Sequence, residues 1–144
     1  MAQRYRLTGK LRFYNRLMKM LLRLGLAPKG VYLLTVQGRK TGEPYSTPVT
    51  LIEDGQGRWL VAPYGEVGWV RNARAAGEVT LSRGGRSEQV RIMELDPQAS
   101  APILKTYVGK IGIVRPYFDA RPDSRLEDFV TEAARHPVFR ISSA

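Results

Sequence analysis

The sequence has no cysteine, a single histidine, and no acidic residue before Glu43. The absence of cysteine excludes disulfides, thiolate metal sites and cysteine nucleophiles. One histidine, His136, excludes a multi-histidine metal site and leaves little scope for a Ser-His-Asp triad, so no bound metal is expected. No apolar run approaches the roughly 18 residues of a membrane span. The opening residues, MAQRYRLTGK, lack the apolar stretch of a secretory signal, which points to a cytoplasmic protein. There is no internal repeat, low-complexity tract or long linker.

What is present suits one folded domain. The chain has 144 residues, 43% hydrophobic and 25% charged, enough apolar material for a core. The net charge of +10 is unevenly placed. Ten Lys or Arg lie in residues 1–40 with no acid, whereas residues 41–144 hold 13 basic and 13 acidic residues. The whole excess sits at one end, which points to an anionic partner: nucleic acid, a membrane surface or an acidic ligand.

The first 25 residues read as a helix. Arg12, Arg16, Lys19 and Arg23 step by four, three and four, so they share a face. Phe13, Tyr14, Leu17, Met18, Leu21, Leu22 and Leu24 cover the rest, and Gly25 and Pro28 end it. Strands are expected at Val31 to Gln37, Thr47 to Glu53 and Arg58 to Tyr64, with turns at Gly38 to Gly42 and Asp54 to Gly57. A helix from Trp69 to Ala76 stops at Gly77. EVTLSR and SEQVRIMEL form a hairpin about Gly84-Gly85. Asp96 caps a helix that has Pro97 at its first position and runs to about Val108. A second late helix is expected from Asp123 to Arg135, with Phe129 and Val130 inward, and a last strand at Val138 to Ser142. Six strands joined mostly by short turns argue for an antiparallel sheet closed into a small barrel, with helices outside.

Three stretches carry candidate chemistry. In GRKTG, a glycine turn adds Arg39, Lys40 and the Thr41 hydroxyl to exposed backbone N–H groups, a set that suits a phosphate or carboxylate chain. It also reads as a hairpin turn with solvated charges. In APYGEVGW, the small residues around Tyr64 let a flat ligand approach the backbone, and Trp69 offers it a wall. In WVRNARAAG, Arg71 and Arg74 share a helical face, and Asn72 points elsewhere, toward a loop backbone. Tyr107 and Tyr117 close a pocket or sit in the core. His136, just before Pro137, reads as a helix-end histidine. The N-terminal helix can cover the barrel or lie on an anionic membrane. Nucleic acid is disfavoured, since no reading motif is present.

The order of these segments from Leu33 to Leu81 resembles the deazaflavin (F420)-dependent nitroreductase family, whose split β-barrel is related to FMN-binding split barrels. The pieces that carry the resemblance are the GRKTG turn, the TP strand, the A-x-x-G exit and W-x-x-N at the start of the helix. The resemblance implies residues 1–28 as a basic amphipathic helix packed on the domain and residues 29–144 as a split-barrel cofactor-binding domain. It implies coenzyme F420, whose phospholactyl-oligoglutamate tail lies on Arg39, Lys40, Thr41 and Gly42. The ring lies against Thr47, Pro48 and Thr50 and against Ala62, Tyr64 and Gly65, with Trp69 and Asn72 beside it. The expected reaction passes a hydride from reduced F420 to an electron-poor acceptor of quinone, enone or nitroaromatic type. Tyr64 or backbone N–H groups at Ala62 to Gly65 serve the developing anion, and Tyr107 and Tyr117 are substrate-side. The alternatives are an FMN-dependent split-barrel reductase and a non-enzymatic protein that holds F420 or a lipid. A homodimer, and membrane contact through residues 1–25, are compatible with the resemblance.

Overall fold

The computed structural model describes residue 2 and residues 9–143. Its elements run α1 (Gly9–Arg23), β1 (Val31–Gln37), β2 (Pro44–Asp54), β3 (Gly57–Val61), α2 (Gly68–Ala76), β4 (Glu78–Arg83), β5 (Arg86–Glu94), α3 (Pro97–Lys110), a 3-10 turn (Gly112–Tyr117), α4 (Leu126–Glu132) and β6 (Val138–Ser143). The six strands close into an antiparallel barrel in the order β1-β2-β3-β6-β5-β4. The expected barrel is therefore present. The part of the N-terminal helix expected at residue 1 and residues 3–8 lies outside the described residues.

Alternation sets the two faces of the barrel wall. Leu34, Val36, Val49, Leu51, Leu60, Val79, Leu81, Val90, Phe139 and Ile141 point inward and fill it. Ile52, Trp59, Val61 and Val138 point outward from β2, β3 and β6, where α3 and α4 cover them with Leu104, Tyr107, Val108 and Phe129. Strand β3 is thus apolar on both faces because helices lie outside it. A smaller cluster of Met18, Leu22, Ala27 and Val31 seats α1 on the start of β1.

Local chemistry explains the ends. The β4–β5 hairpin pairs Arg83 with Arg86 across Gly84 and Gly85, at φ 55° and 80°. Two successive left-handed residues match the twist of the flanking strands, which is why glycine stands at both. Asp96 caps α3 by accepting from the Ala99 amide at 2.8 Å, with Pro97 in the first turn. Strand β2 starts earlier than expected because Pro44 and Tyr45 still pair with Gln37 and Val36. Strand β3 ends earlier, at Val61, because Pro63 has no N–H for a ladder. Helix α4 begins three residues late: a turn held by Arg121 and Ser124 precedes it. The 3-10 turn at Gly112–Tyr117 was not expected.

Candidate functional site

Two adjoining spaces open between β1, β2, α1, α2 and α3, and Trp69 lines both. The first is a groove formed by Gly38, Arg39, Lys40, Thr41, Tyr45, Gly68, Trp69 and Asn72. It brings the GRKTG turn against the start of α2. The turn is closed by hydrogen bonds from Gly38 N to Glu43 O at 2.8 Å and from Gly42 N to Gly38 O at 2.9 Å. The Thr41 hydroxyl accepts from Glu43 N at 3.2 Å, so it serves the turn itself. Buried Asn72 is the bracket. Its Oδ1 accepts from Arg39 N at 3.1 Å and from Arg39 Nη1 at 2.7 Å. That matches the expectation that Asn72 bonds a loop backbone. Arg39 and Lys40 both remain exposed.

The neighbouring arginines on α2 divide. Arg74 makes paired bonds to Glu94 at 2.8 Å and one to Glu66 at 2.9 Å, which hold its pKa above the ordinary guanidinium value. It ties α2 to β5 and is spent on the fold. Arg71 is exposed.

The second space is a cavity lined by Thr47, Pro48, Val49 and Thr50 from β2, by Pro63, Tyr64, Val67 and Trp69 after β3, and by Tyr107 and Ile111 at the end of α3. Tyr14, Asn15 and Met18 of α1 complete one wall. Among the described residues that line it, none is Lys, Arg, Asp, Glu or His.

Of the residues expected from sequence, Arg39, Lys40, Thr41, Trp69 and Asn72 meet in the groove, and Thr47, Pro48, Thr50, Tyr64, Trp69 and Tyr107 in the cavity. Gly42, Ala62, Gly65 and Tyr117 line neither. Ala62 is buried in the barrel core. Gly65, at φ 88°, passes so close to the Arg135 carbonyl that a Cβ would meet it at 3.2 Å. Tyr117 stacks edge-on against Tyr64, ring centroids 4.9 Å apart, and so backs the cavity through that ring.

The expected use of backbone N–H groups from Ala62 to Gly65 needs correcting. Ala62 N donates to Pro137 O at 2.9 Å and Gly65 N to Ala62 O at 3.4 Å, while Pro63 has no N–H. The stretch does not offer a pair of amides for an oxyanion.

Sequence reasoning placed Tyr14, Asn15 and Met18 on the N-terminal helix but did not bring them to the pocket by name. It also missed Glu132. This carboxylate is buried beside His136. Its Oε1 accepts from Asp119 N at 2.9 Å and Ala120 N at 3.1 Å. Its Oε2 faces His136 Nε2 at 3.2 Å, without the alignment of a hydrogen bond. Burial pushes the Glu132 carboxyl up, but His136 and the two amides outweigh it and hold it below the usual range. The His136 ring stacks on Phe118 at 3.8 Å. The i,i+4 spacing of Glu132 and His136 was the available clue.

The family model of F420H(2)-dependent quinone reductase matches residues 11–111, from α1 through the groove to the end of α3. The chain belongs to that family. The expected enzyme class, an F420-dependent reductase, follows from membership. No curated protein matches the chain. Solved structures show the fold. One described as an F420-H2 dependent reductase (FDR-A) has 22% identity, TM-score 0.54, and covers 79% of this chain and 95% of its own. A putative pyridoxamine 5'-phosphate oxidase from Listeria innocua has 14% identity, TM-score 0.54, with 86% and 90% covered. A structure described as a domain-swapped dimer has 16% identity, TM-score 0.57, with 93% and 100% covered. The residues present fit the cofactor that the family name implies: two exposed cations on a tight turn suit an anionic tail, and the adjoining cavity, whose described walls are flat and uncharged, suits a ring. No helix among the described residues is long and apolar enough to cross a membrane.

Proposed function

We propose that this reductase holds reduced F420 across the two spaces and reduces an uncharged, electron-poor acceptor of quinone, enone or nitroaromatic type. The observation that carries the proposal is the junction at Trp69 of a cationic groove with a cavity whose described lining residues are all uncharged. When bound, F420 supplies the hydride; its chemistry is its own. Arg39 and Lys40 hold the tail, with Asn72 fixing Arg39 and with Thr41 and Gly42 shaping the turn that carries them. Thr47, Pro48, Thr50, Tyr64 and Trp69 form the surroundings of the ring, and Ala62 and Gly65 shape the backbone that carries Tyr64. The apolar walls exclude water and hold the acceptor close, which is worth more to the rate than any single contact. Tyr64, half-buried after β3, is the proton donor for the reduced acceptor, and Tyr107 and Tyr117 bound the acceptor's side.

Outside the cavity, α1 turns Phe13, Met20 and Leu24, 69%, 52% and 64% exposed, to solvent beside Arg12, Arg16 and Arg23. That mixture supports peripheral contact with an anionic membrane, measured by sedimentation with anionic and neutral vesicles. A homodimer is proposed on the solved domain-swapped relative and is read by light scattering.

The test is a parallel titration with F420 and FMN, following cofactor fluorescence. Saturable micromolar binding of F420 with weak FMN binding is expected. FMN bound alone moves the protein to flavin chemistry. F420 bound with no acceptor reduced across a broad panel makes it a binding protein.

A further inference from the structure

The cavity holds a buried hydroxyl that the fold does not use. Tyr107 lies near the end of α3 and is 2% exposed. Its hydroxyl makes no hydrogen bond with any described residue. Among the described residues, the polar side-chain atoms sealed away without a partner belong to Glu132 and His136. The Tyr107 hydroxyl is not among them, and the space that Tyr107 lines is the cavity.

Burying a phenol without a partner costs stability. Phenylalanine would fill the same volume among Leu104, Val108 and Val114 without that cost. The hydroxyl therefore has a use outside the folded chain. Burial pushes its pKa well above the ordinary phenol value, and the phenols of Tyr64 and Tyr14 push it further. Such a group keeps its proton and donates a hydrogen bond; it is a poor acid. Among the described residues no charged side chain lies on the cavity wall, so little else there discriminates among acceptors.

We propose that Tyr107 is the residue that recognises the acceptor, its hydroxyl donating a hydrogen bond to a carbonyl oxygen of an uncharged ring compound in the cavity. This rests on reading the cavity as the acceptor's site. As negative charge builds on that oxygen, a fixed neutral donor stabilises it without reorganising, and proton delivery stays with Tyr64.

The test compares 1-tetralone with tetralin, which lack reducible quinone chemistry and differ in the carbonyl. Each is titrated by ligand-observed NMR into wild-type protein and Tyr107→Phe, both saturated with oxidised F420. Uptake of F420 is read first from cofactor fluorescence. If the protein does not take it up, the cofactor reading has failed and the comparison is run on free protein. Tyr107→Phe is expected to bind tetralone about five- to tenfold more weakly, to bind tetralin and F420 as before, and to melt no lower than wild type. Equal affinity of wild type for the two probes, or equal loss of both in the variant, overturns the proposal. A lower melting temperature does so too, since it gives the hydroxyl a structural role.

Discussion

The groove and the cavity touch at one tryptophan yet are built on opposite rules. The groove keeps its cations exposed on a turn, and buries only the amide that aims one of them, Asn72. Among the described residues, the cavity wall holds hydroxyls and one side-chain amide but no charge. A third arrangement, Glu132 with His136, seals charge in: two backbone amides hold one carboxylate oxygen, and the other faces the imidazole at 3.2 Å. The lesson is about cost. An exposed cation is cheap to keep and gains energy only when an anion arrives, whereas a buried charge is worth keeping only if the fold completes its partners. Charge in the groove should therefore matter to ligand and little to stability, and the sealed charge the reverse.

Removing the sealed charge should give the largest effect. Glu132→Ala is expected to cost about 3–5 kcal/mol of stability in urea unfolding, since it orphans His136 and two amides, while F420 affinity of the folded fraction holds. The same carboxyl gives a pH signature. Its pKa lies below the unfolded value of about 4.3. It therefore contributes stability that is full above that value and is lost as pH falls through the lower, folded one. Glu132→Gln should abolish this share of the acid destabilisation, read as a smaller drop in urea midpoint between about pH 6 and pH 3.

Removing the groove's cations comes next. Arg39→Ala with Lys40→Ala should weaken F420 by about 100-fold, two charge-assisted contacts being lost. The melting temperature should barely move. A matched loss of stability would erase the contrast between groove and cavity.

Asn72→Ala sharpens the comparison at its boundary, because this residue is buried yet serves the groove. We expect about a tenfold loss of F420 affinity from a loosened Arg39, and about 1–2 kcal/mol of stability from the unpaired Arg39 amide. Calorimetric binding and thermal unfolding of the one variant measure both.

Much of the frame was legible because it follows from local rules. Alternation and flanking glycines marked β1 from Val31 to Gln37, Gly84-Gly85 marked the hairpin, and Asp96-Pro97 marked the start of α3. Strand ends were less legible. Whether Pro44 and Tyr45 pair depends on β1, and the early end of β3 follows from the proline after it. Asn72 toward a loop backbone was read correctly because helical phase separates it from Arg71 and Arg74. What the sequence hid was long-range. Nothing local says that Ala62 N–H goes to Pro137, nor that Tyr14 of α1 and Tyr107 of α3 line one cavity. The Glu132–His136 pair showed its spacing, but only burial under Phe118 gives that spacing weight.

The most direct test of the account is the salt dependence of binding. F420 and a deazaflavin ring lacking the anionic tail are titrated side by side between roughly 50 and 500 mM salt, a range that shortens screening from beyond 10 Å to a few ångströms. If the groove holds the tail by charge and the uncharged cavity holds the ring, F420 affinity falls by tenfold or more while that of the bare ring stays flat. Parallel curves for the two ligands, or an F420 affinity indifferent to salt, would contradict it.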